Sequence, residues 1–347
     1  MRKKISLISE WKSMKIDYKS RIEGQNIDTD KLRPNNSYTH LMKNRNGSLQ
    51  SILDNINEYK ELLKNRNCPN CKKNKYNKIV KKDNLDIVKC KACEIIYVTP
   101  IFDEEKYKDL YKSEEYNEII IKHTVASHTY RKNRFGDERI GFINKHHNPK
   151  LKKRYLDIGC ATGFTLESAE ENGWEAIGIE LTPASIDFAR KRNLKIIDKP
   201  LEEIEFDEKF SAISLFDVLE HLSNPREILD KVHESLFDGG NVFIYVPNWN
   251  SATRELLSEE NSHFVWPSHH LTYFTPETLK DFIERSGFEV FFWETQGLDL
   301  ADFKWFLDEK ENKDTGWIDE YGEVLQYYIN ASGNGKNLRM FARKVNK

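Results

Sequence analysis

The sequence predicts an α/β fold: a largely parallel sheet with helices on both faces, preceded by a small cysteine-bearing module. Three observations predict it. From residue 151 onward, short apolar runs alternate with amphipathic stretches of helix length. The first apolar run leads into a turn that carries Gly159 and Gly163. Two C-x-x-C pairs, beginning at Cys68 and Cys90, precede the alternation. Alternation of this kind favours parallel strands, because each connecting helix must pack back onto the sheet.

The composition argues against an electrostatic binder. The 347 residues include 54 Lys and Arg against 56 Asp and Glu, a net charge of −2. Nothing in this balance favours nucleic acid or an anionic membrane as the partner. No apolar run reaches the roughly 18 residues that a membrane helix needs, and the N-terminus lacks an apolar signal core. We expect a cytoplasmic protein with no membrane partner.

Residues 1–66 are polar, rich in Lys and Asn, and predict a helical or loosely ordered extension. The clearest periodicity lies in residues 48–63, where one helical face would carry the apolar side chains Leu49, Ile52, Leu53, Ile56, Tyr59 and Leu63. We assign no chemistry to this extension.

Residues 67–98 predict a zinc ribbon. Cys68 and Cys71 are separated by 18 residues from Cys90 and Cys93, a spacing typical of zinc sites in reducing compartments. Four thiolates complete a tetrahedral site with no open position, so the predicted role of the metal is structural. Ribbon turns often place glycine after the second cysteine, and we therefore expect unfavourable positive φ angles at Lys72 and Glu94.

Residues 99–150 predict a helical connector, and residues 151–347 predict the main α/β domain. The expected strands and helices of that domain alternate in chain order: strand 154–158, helix 164–172, strand 175–179, helix 183–192, strand 194–197, strand 209–216, helix 224–236, strand 241–247, helix 276–287, and strands 288–294 and 337–344. The last two strands flank an insertion.

The turn after the first strand carries the strongest functional signal. The segment from Asp157 to Gly163 reads D-x-G-x-A-x-G, and the next strand ends in Glu180. Glycines let the backbone approach a nucleotide closely, and an acidic residue at the tip of the second strand can accept both hydroxyls of a ribose. The full dinucleotide fingerprint, G-x-G-x-x-G, is absent.

This pattern resembles motif I of the class I S-adenosylmethionine-dependent methyltransferases. The resemblance extends to the C-terminus through Phe216–Leu222, the Asp238-Gly239-Gly240 turn and Tyr273–Leu279. It implies a Rossmann-like seven-stranded sheet in the order 3-2-1-4-5-7-6. The implied S-adenosylmethionine contacts are Asp157, Gly159, Cys160, Gly163, Glu180, Leu181, Leu201, Phe216 and Asp217. An N-terminal ribbon resembles the arrangement in bacterial methyltransferases that act on sugars and small molecules.

The resemblance also gives the connector a role. In the family, helices before motif I close over the cofactor and supply an aromatic or arginine contact to its methionine end. Tyr116 and either Arg131 or Arg134 are the candidates here. The alternative is that the tyrosines are core residues and the arginines are solvated.

Asp217, Glu220 and His221 are the predicted catalytic residues. A helical turn after the fourth strand would bring them toward one face. The pattern resembles that of ubiquinone-biosynthesis O-methyltransferases and of small-RNA 2′-O-methyltransferases, in which the equivalent residues bind a metal. Many relatives without a metal also carry Glu-His here, with the histidine as a general base or lining the cofactor pocket. A packing role for His221 is the remaining alternative. We favour His221 as the base.

Two variable loops are expected to shape the acceptor site. The loop at 249–271 is predicted to roof the acceptor pocket with Trp249, Trp266, His269 and His270. The second, at 299–332, is rich in aromatic residues, which suit planar substrates, core packing or a homodimer contact.

We therefore predict a methyltransferase that methylates oxygen on a small polar acceptor, with a sugar, sugar nucleotide or glycan precursor favoured. The second hypothesis is an RNA 2′-O-methyltransferase with a metal at Asp217, Glu220, His221 and His269, although the absence of an overall positive charge argues against nucleic acid without excluding it. A third is an inactive binding or scaffold protein.

Overall fold

The computed structural model describes residues 27–44 and 46–345; the predictions for residues 1–26 lie outside this range. The strands are β1 Leu63–Lys64, β2 Tyr76–Lys82, β3 Leu85–Cys90, β4 Ile96–Val98, β5 Ile101–Phe102, β6 Arg154–Ile158, β7 Glu175–Ile179, β8 Ile196–Ile197, β9 Phe210–Phe216, β10 Leu236–Pro247, β11 Thr272–Tyr273, β12 Phe288–Gln296 and β13 Asn337–Lys344. The α-helices are Thr29–Leu32, Ser37–Lys43, Gln50–Asp54, Glu104–Lys112, Glu114–Ile120, His128–Arg131, Asp137–His146, Phe164–Glu171, Pro183–Lys191, Pro225–Ser235, Ala252–Asn261, Pro276–Glu284, Asp299–Phe306 and Gly316–Ala331.

Seven strands form the main sheet, in the order β8-β7-β6-β9-β10-β13-β12. Numbered along the chain within this sheet, that order is 3-2-1-4-5-7-6, and the prediction is confirmed. Strands β6 to β10 run parallel, whereas β13 is antiparallel to both β10 and β12. The carboxyl ends of β6, β7, β9, β10 and β12 therefore lie at the same edge of the sheet. Ligands of open α/β sheets bind at this edge.

The residues of the central strands explain why the sheet lies inside. All five residues of β6 are buried, as are six of the seven residues of β9. Strands buried along their length on both sides need cover on both faces of the sheet, and the flanking helices provide it. The helices begin with recognisable signals: Pro183, Pro225 and Pro276 occupy first-turn positions, and Thr275 forms a capping box with Thr278.

The cysteine-bearing module forms a three-stranded antiparallel ribbon of β2, β3 and β4. Lys72 and Glu94 have φ angles of 59° and 62°, as predicted. The ribbon is not separate from the main domain, because β4 also pairs with β11 through Tyr97 and Thr272. Some of its buried residues, among them Cys68, Val88 and Tyr97, join the core of the large sheet.

The helix expected over 48–63 is shorter than predicted. Only Gln50–Asp54 is α-helical, and two single turns follow before β1. Asn55 ends the helix because its side-chain amide donates to the carbonyl of Ser51 at 3.0 Å, in competition with the backbone. Leu49 and Leu53 are buried as the periodicity predicts, whereas Tyr59 is exposed.

The insertion between β12 and β13 folds as two helices, Asp299–Phe306 and Gly316–Ala331. The first of them is attached to the N-terminal segment through Asp302, which has a fully buried side chain. Asp302 accepts from Arg33 at 2.7 Å and from Lys336 at 2.8 Å, and His263 lies 3.3 Å away. Among the described residues, no helix is both long and apolar enough to cross a membrane.

Candidate active site

A cavity of about 440 Å³ opens where β6, β7 and β9 end. Its volume is within the range of small-molecule and cofactor sites. The cavity brings together most of the predicted site residues, namely Tyr116, Arg131, Asp157, Gly159, Cys160, Glu180, Leu181, Leu201, Phe216, Asp217 and His221. A larger cavity of about 560 Å³ lies between the N-terminal segment and the insertion, and its lining includes none of these residues.

The glycine turn forms one wall of the 440 Å³ cavity. Gly159 and Gly163 have φ angles of 71° and 77°, a region that favours glycine. A Cβ atom on Gly159 would also overlap Val218 Cγ2. Gly163 lies behind the wall at the start of the helix and does not line the cavity.

The Glu180 carboxylate is locked against this turn. One oxygen accepts from the backbone N–H of Ala161 at 2.8 Å, and the other accepts from Leu181 and Thr182, each at 2.8 Å. A carboxylate offers about four acceptor positions. Glu180 therefore keeps capacity for a further donor from the cavity side, such as a ribose hydroxyl.

These walls fit S-adenosylmethionine. Leu181 and Leu201 offer apolar surface for a base, next to the carboxylate that suits the ribose. Asp157 is buried below the turn, where the Ser214 hydroxyl donates to it at 2.5 Å. Burial raises the pKa of Asp157 to about 6, although the Ser214 hydrogen bond opposes that shift.

The connector helices supply the positive charge of the cavity. Arg131 lines it and donates from Nε to the Ser127 hydroxyl at 2.7 Å. Burial lowers the pKa of Arg131 to about 10, and the nearby charge of Arg139 contributes to this shift. Arg134 instead donates to Glu138 at 2.7 Å.

Sequence reasoning missed Arg139. This residue lines the cavity with its guanidinium 4.0 Å from the centre of the Phe216 ring. Its position was predictable in principle, since Arg131 and Arg139 are eight residues apart and helical spacing places such residues on one side. Tyr111 was also outside the predicted site; it lines the cavity and packs edge-on against Tyr116 at 5.3 Å.

Asp217, Glu220 and His221 lie at the end of β9, but not in an ordinary helical turn. Asp217 has a φ angle of 57°, and Leu219–His221 forms a single tight turn. Asp217 and His221 line the cavity, whereas Glu220 is buried beside it. Both Glu220 carboxylate oxygens are buried without a hydrogen-bond partner. Burial and the charge of Asp217 raise the pKa of Glu220 well above its ordinary value.

His221 and His270 complete a polar cluster with Glu220, in which the potential ligand atoms lie within 4.8 Å of one another. The nitrogen Nδ1 of His221 is 3.1 Å from the carbonyl of His269, and Nδ1 of His270 is 2.7 Å from that of Phe264. A carbonyl only accepts, so each Nδ1 carries the proton and each Nε2 keeps its lone pair. Burial lowers the pKa of His221 to about 4 and that of His270 well below its ordinary value. Both imidazoles are therefore neutral at pH 7.

The metal hypothesis named His269, but in this structure the histidine that joins Glu220 and His221 is His270. The His269 ring stacks on Trp266 with centroids 3.8 Å apart, and its Nδ1 lies 2.9 Å from the Ser268 hydroxyl. Asp217 also lies outside the cluster of potential ligand atoms.

The four predicted substrate contacts stay predictions, and none of them lines the cavity. Trp249 is only 6% exposed because it packs edge-on against Tyr273, in a core beside the ribbon. Trp266 donates its indole N–H to Asn46 at 2.7 Å. His269 is held by its stacking on Trp266, and His270 by its bond to the Phe264 carbonyl. The residues 252–261 form a helix rather than an open loop.

The ribbon cysteines are grouped as a metal site requires. All four thiols are free, and the four sulfur atoms lie within 4.8 Å of one another. The Sγ atoms of Cys68 and Cys93 are 3.4 Å apart, and those of Cys71 and Cys90 are 3.5 Å apart. Four sulfurs at about 2.3 Å from one zinc ion have similar separations.

Comparison with known proteins supports the motif assignment. Residues 128–291 match the family model described as a methyltransferase domain. This part of the chain is a methyltransferase domain. The match covers the glycine turn, Glu180 and the cluster around His221, so the family resemblance of the sequence motifs is confirmed.

The relatives of this methyltransferase domain have different acceptors. The chain is 31% identical over 120 residues to the ubiquinone biosynthesis O-methyltransferase of Idiomarina loihiensis. This alignment covers 32% of the chain and 49% of that relative. It is 27% identical over 210 residues to the tRNA U34 carboxymethyltransferase of Sulfurimonas denitrificans, covering 58% of the chain and 66% of that relative. The chain thus spans about half the length of the ubiquinone relative. A solved structure of magnesium protoporphyrin IX methyltransferase from Synechocystis PCC 6803 covers 70% of the chain and 100% of that protein, at 9% identity and a TM-score of 0.48.

Proposed function

We propose that the protein transfers a methyl group from S-adenosylmethionine to an oxygen atom of a small polar acceptor, with a sugar, sugar nucleotide or glycan precursor favoured. The observation that carries the proposal is the meeting of two features in one cavity. The glycine turn with Glu180 forms one side, and a neutral histidine with a free Nε2 forms the other.

The roles of the residues follow from their chemistry. Glu180 would hold the ribose hydroxyls, Leu181 and Leu201 the adenine, and Arg131 the carboxylate of the methionine end. S-adenosylmethionine supplies a methyl group on a positively charged sulfur. The oxygen of the acceptor hydroxyl would bond to the methyl carbon as the carbon–sulfur bond breaks, and S-adenosylhomocysteine would leave as a neutral thioether. The hydroxyl proton would pass to His221 Nε2, which is unprotonated at pH 7.

The charges around the cavity act on the carboxylate of Asp217, next to the proposed base. Arg131 and Arg139 keep positive charge beside the Asp217 carboxylate, and their charges oppose the rise in the pKa of Asp217 that burial causes. The tyrosines of the connector, Tyr111 and Tyr116, also line the cavity. Alignment of the methyl group with the acceptor oxygen in this cavity would be worth on the order of 7–11 kcal/mol when it is complete.

The acceptor class can be tested with a panel of candidate acceptors. Purified protein is incubated with S-adenosylmethionine and a set of sugar nucleotides, catechols and short RNAs, and release of S-adenosylhomocysteine is measured. Turnover with the sugar nucleotides supports the proposal. Turnover with catechols or RNA alone contradicts the acceptor class, and cofactor binding without any turnover favours the scaffold hypothesis.

A metal-dependent transfer, such as RNA 2′-O-methylation, is the second candidate. The specific observation is that Glu220 has two buried carboxylate oxygens without a hydrogen-bond partner, next to two neutral imidazoles. A carboxylate with two Nε2 lone pairs suits a divalent cation such as Mn²⁺ or Zn²⁺. Activity lost to a chelator and restored by a divalent ion, with the ribbon metal still bound, favours this candidate over His221 as the base.

We further propose that the ribbon cysteines bind one structural zinc ion. The distances between their sulfur atoms support this proposal. So does the small size of the ribbon: it cannot build a large hydrophobic core, so the free energy of metal binding would contribute directly to its folding. Metal analysis after zinc-supplemented expression tests it: one equivalent per chain is expected, and less than half an equivalent contradicts it.

A further inference from the structure

Arg66 links the ribbon to the polar cluster of the candidate active site. This residue stands two positions before Cys68, the first of the ribbon cysteines. Its guanidinium donates from Nε to the Val98 carbonyl at 3.0 Å, from Nη1 to the Ser223 carbonyl at 2.9 Å, and from Nη2 to the Leu271 carbonyl. Three carbonyls from distant parts of the chain therefore accept hydrogen bonds from the same guanidinium.

Two of these carbonyls belong to the segments that carry the cluster. Ser223 follows His221 by two residues and lines the cofactor cavity. Leu271 follows His270 directly, and its backbone N–H donates to the Glu220 carbonyl at 2.7 Å. Val98, the third acceptor, ends ribbon strand β4. The contacts of Arg66 thus hold the His221 segment, the His270 segment and the ribbon in a fixed arrangement.

Arginine suits this position for a physical reason. Its planar guanidinium holds five donors in a fixed geometry, so that several bonds form without much further loss of freedom. The same residue is fixed at its backbone: its N–H donates to the Thr99 hydroxyl at 3.1 Å, and that hydroxyl donates back to the Arg66 carbonyl at 3.3 Å. Burial lowers the pKa of Arg66 to about 10, which leaves it charged at pH 7.

We propose that Arg66 is a positioning residue that sets the arrangement of the His221 and His270 imidazoles, and that the metal-bound ribbon holds Arg66 in place. The inference rests on the proposed function only in taking the cluster of Glu220, His221 and His270 as the reaction site. Loading of the cysteine site then orders residues 266–273 as well as the ribbon, although the two sites share no ligand.

Arg226 provides a matched control. It also joins the ribbon to the main domain through an arginine side chain, with Nη2 donating to Asn70 and Nη1 donating to the Phe282 carbonyl at 2.8 Å. Its guanidinium lies 4.0 Å from the centre of the Phe282 ring. The hydrogen-bond acceptors of Arg226 in this structure include no residue of 217–223 or 266–273.

The test compares Arg66→Met, Arg66→Lys and Arg226→Met in the full zinc-loaded chain. Hydrogen exchange of residues 266–273 is followed by mass spectrometry, and the imidazole nitrogen signals of His221 and His270 are followed by NMR. We expect Arg66→Met to speed exchange in 266–273 on the order of tenfold and to shift both histidine signals. Arg66→Lys should restore part of each change, and Arg226→Met should leave both readouts as in the wild type.

Removal of the ribbon metal supplies the second arm. Cys71→Ser, which empties the cysteine site, should speed exchange in 266–273 as Arg66→Met does. Equal changes in Arg66→Met and Arg226→Met, or unchanged exchange in 266–273 after either Arg66→Met or Cys71→Ser, would overturn the proposal. Failure of S-adenosylmethionine to bind the wild type would instead refute the proposed function, and the exchange result would be unaffected by it.

Discussion

Replacement of His221 tests whether this imidazole takes part in the methyl transfer. His221→Ala removes the imidazole through which the cluster lines the cavity. If Nε2 accepts the proton of the acceptor, kcat should fall by roughly 10²–10⁴-fold, which corresponds to about 3–5 kcal/mol in the barrier. Affinity for S-adenosylmethionine should stay within about threefold, because the proposed ribose and adenine contacts are Glu180, Leu181 and Leu201 rather than His221. His146→Ala, which changes a histidine outside the cluster, serves as the control.

The pH dependence sharpens this prediction. An unperturbed histidine would produce a rise in rate near pH 6.5. Burial instead lowers the pKa of His221 to about 4. The unprotonated form is the active base, so its fraction is nearly constant above about pH 5 and falls only as the pH approaches 4.

The assay measures S-adenosylhomocysteine release between pH 5 and 9 with an acceptor found in the panel. A flat profile across this range and a large loss in His221→Ala are expected. A clear rise centred near pH 6.5, or a His221→Ala enzyme that keeps kcat within about threefold of the wild type, would refute the reasoning.

Three further predictions concern the cofactor wall, the ion cluster and the ribbon. Glu180→Ala should weaken S-adenosylmethionine binding by about 10- to 150-fold in calorimetry, since one hydrogen bond to a charged acceptor is worth roughly 1.5–3 kcal/mol, whereas Glu180→Gln should lose less. Asp302→Asn should lower the free energy of unfolding by about 3–5 kcal/mol in urea titrations, because Arg33 and Lys336 lose their buried anion. Burial favours protonation of Asp302, but the charges of Lys336 and Arg33 hold its pKa well below the usual range. Its stabilising contribution is therefore present above about pH 4 and should decline as the pH falls below that value, in the wild type but not in the variant. Cys71→Ser should abolish zinc binding and lower the melting temperature of the whole chain rather than of the ribbon alone, because β4 pairs with β11; a second, unshifted calorimetric transition would contradict this.

The sequence predicted the sheet well, because the signals there are local. Alternating apolar runs and the turn at Gly159 determine strand positions and the ligand-binding edge, and β13 begins and ends where expected. The positive φ angles of Lys72 and Glu94 follow from the geometry that ribbon turns require. The positions of Gly159, Glu180 and Phe216 along the cavity were predictable for the same reason, because each follows or ends a strand that local signals locate.

Long-range pairings were not predictable in this way. The strand β11 has only two residues, and its pairing with β4 joins positions 175 residues apart at Tyr97 and Thr272. That pairing places the His270 segment beside the ribbon. His270 then lies with Glu220 and His221 whereas His269 does not, and the sequence alone could not tell which of the two neighbouring histidines would do so. The role of Arg66 has the same origin, because its acceptors are isolated carbonyls whose residue types carry no signal.

The most direct test of the central claim is calorimetric titration of the zinc-loaded protein with S-adenosylmethionine and with S-adenosylhomocysteine. We expect one equivalent of either ligand per chain, with binding abolished by Gly159→Arg, whose side chain would occupy the turn that the ligand must approach. Absence of saturable binding by the folded wild type, or unchanged affinity in Gly159→Arg, would contradict the assignment of this cavity as the cofactor site.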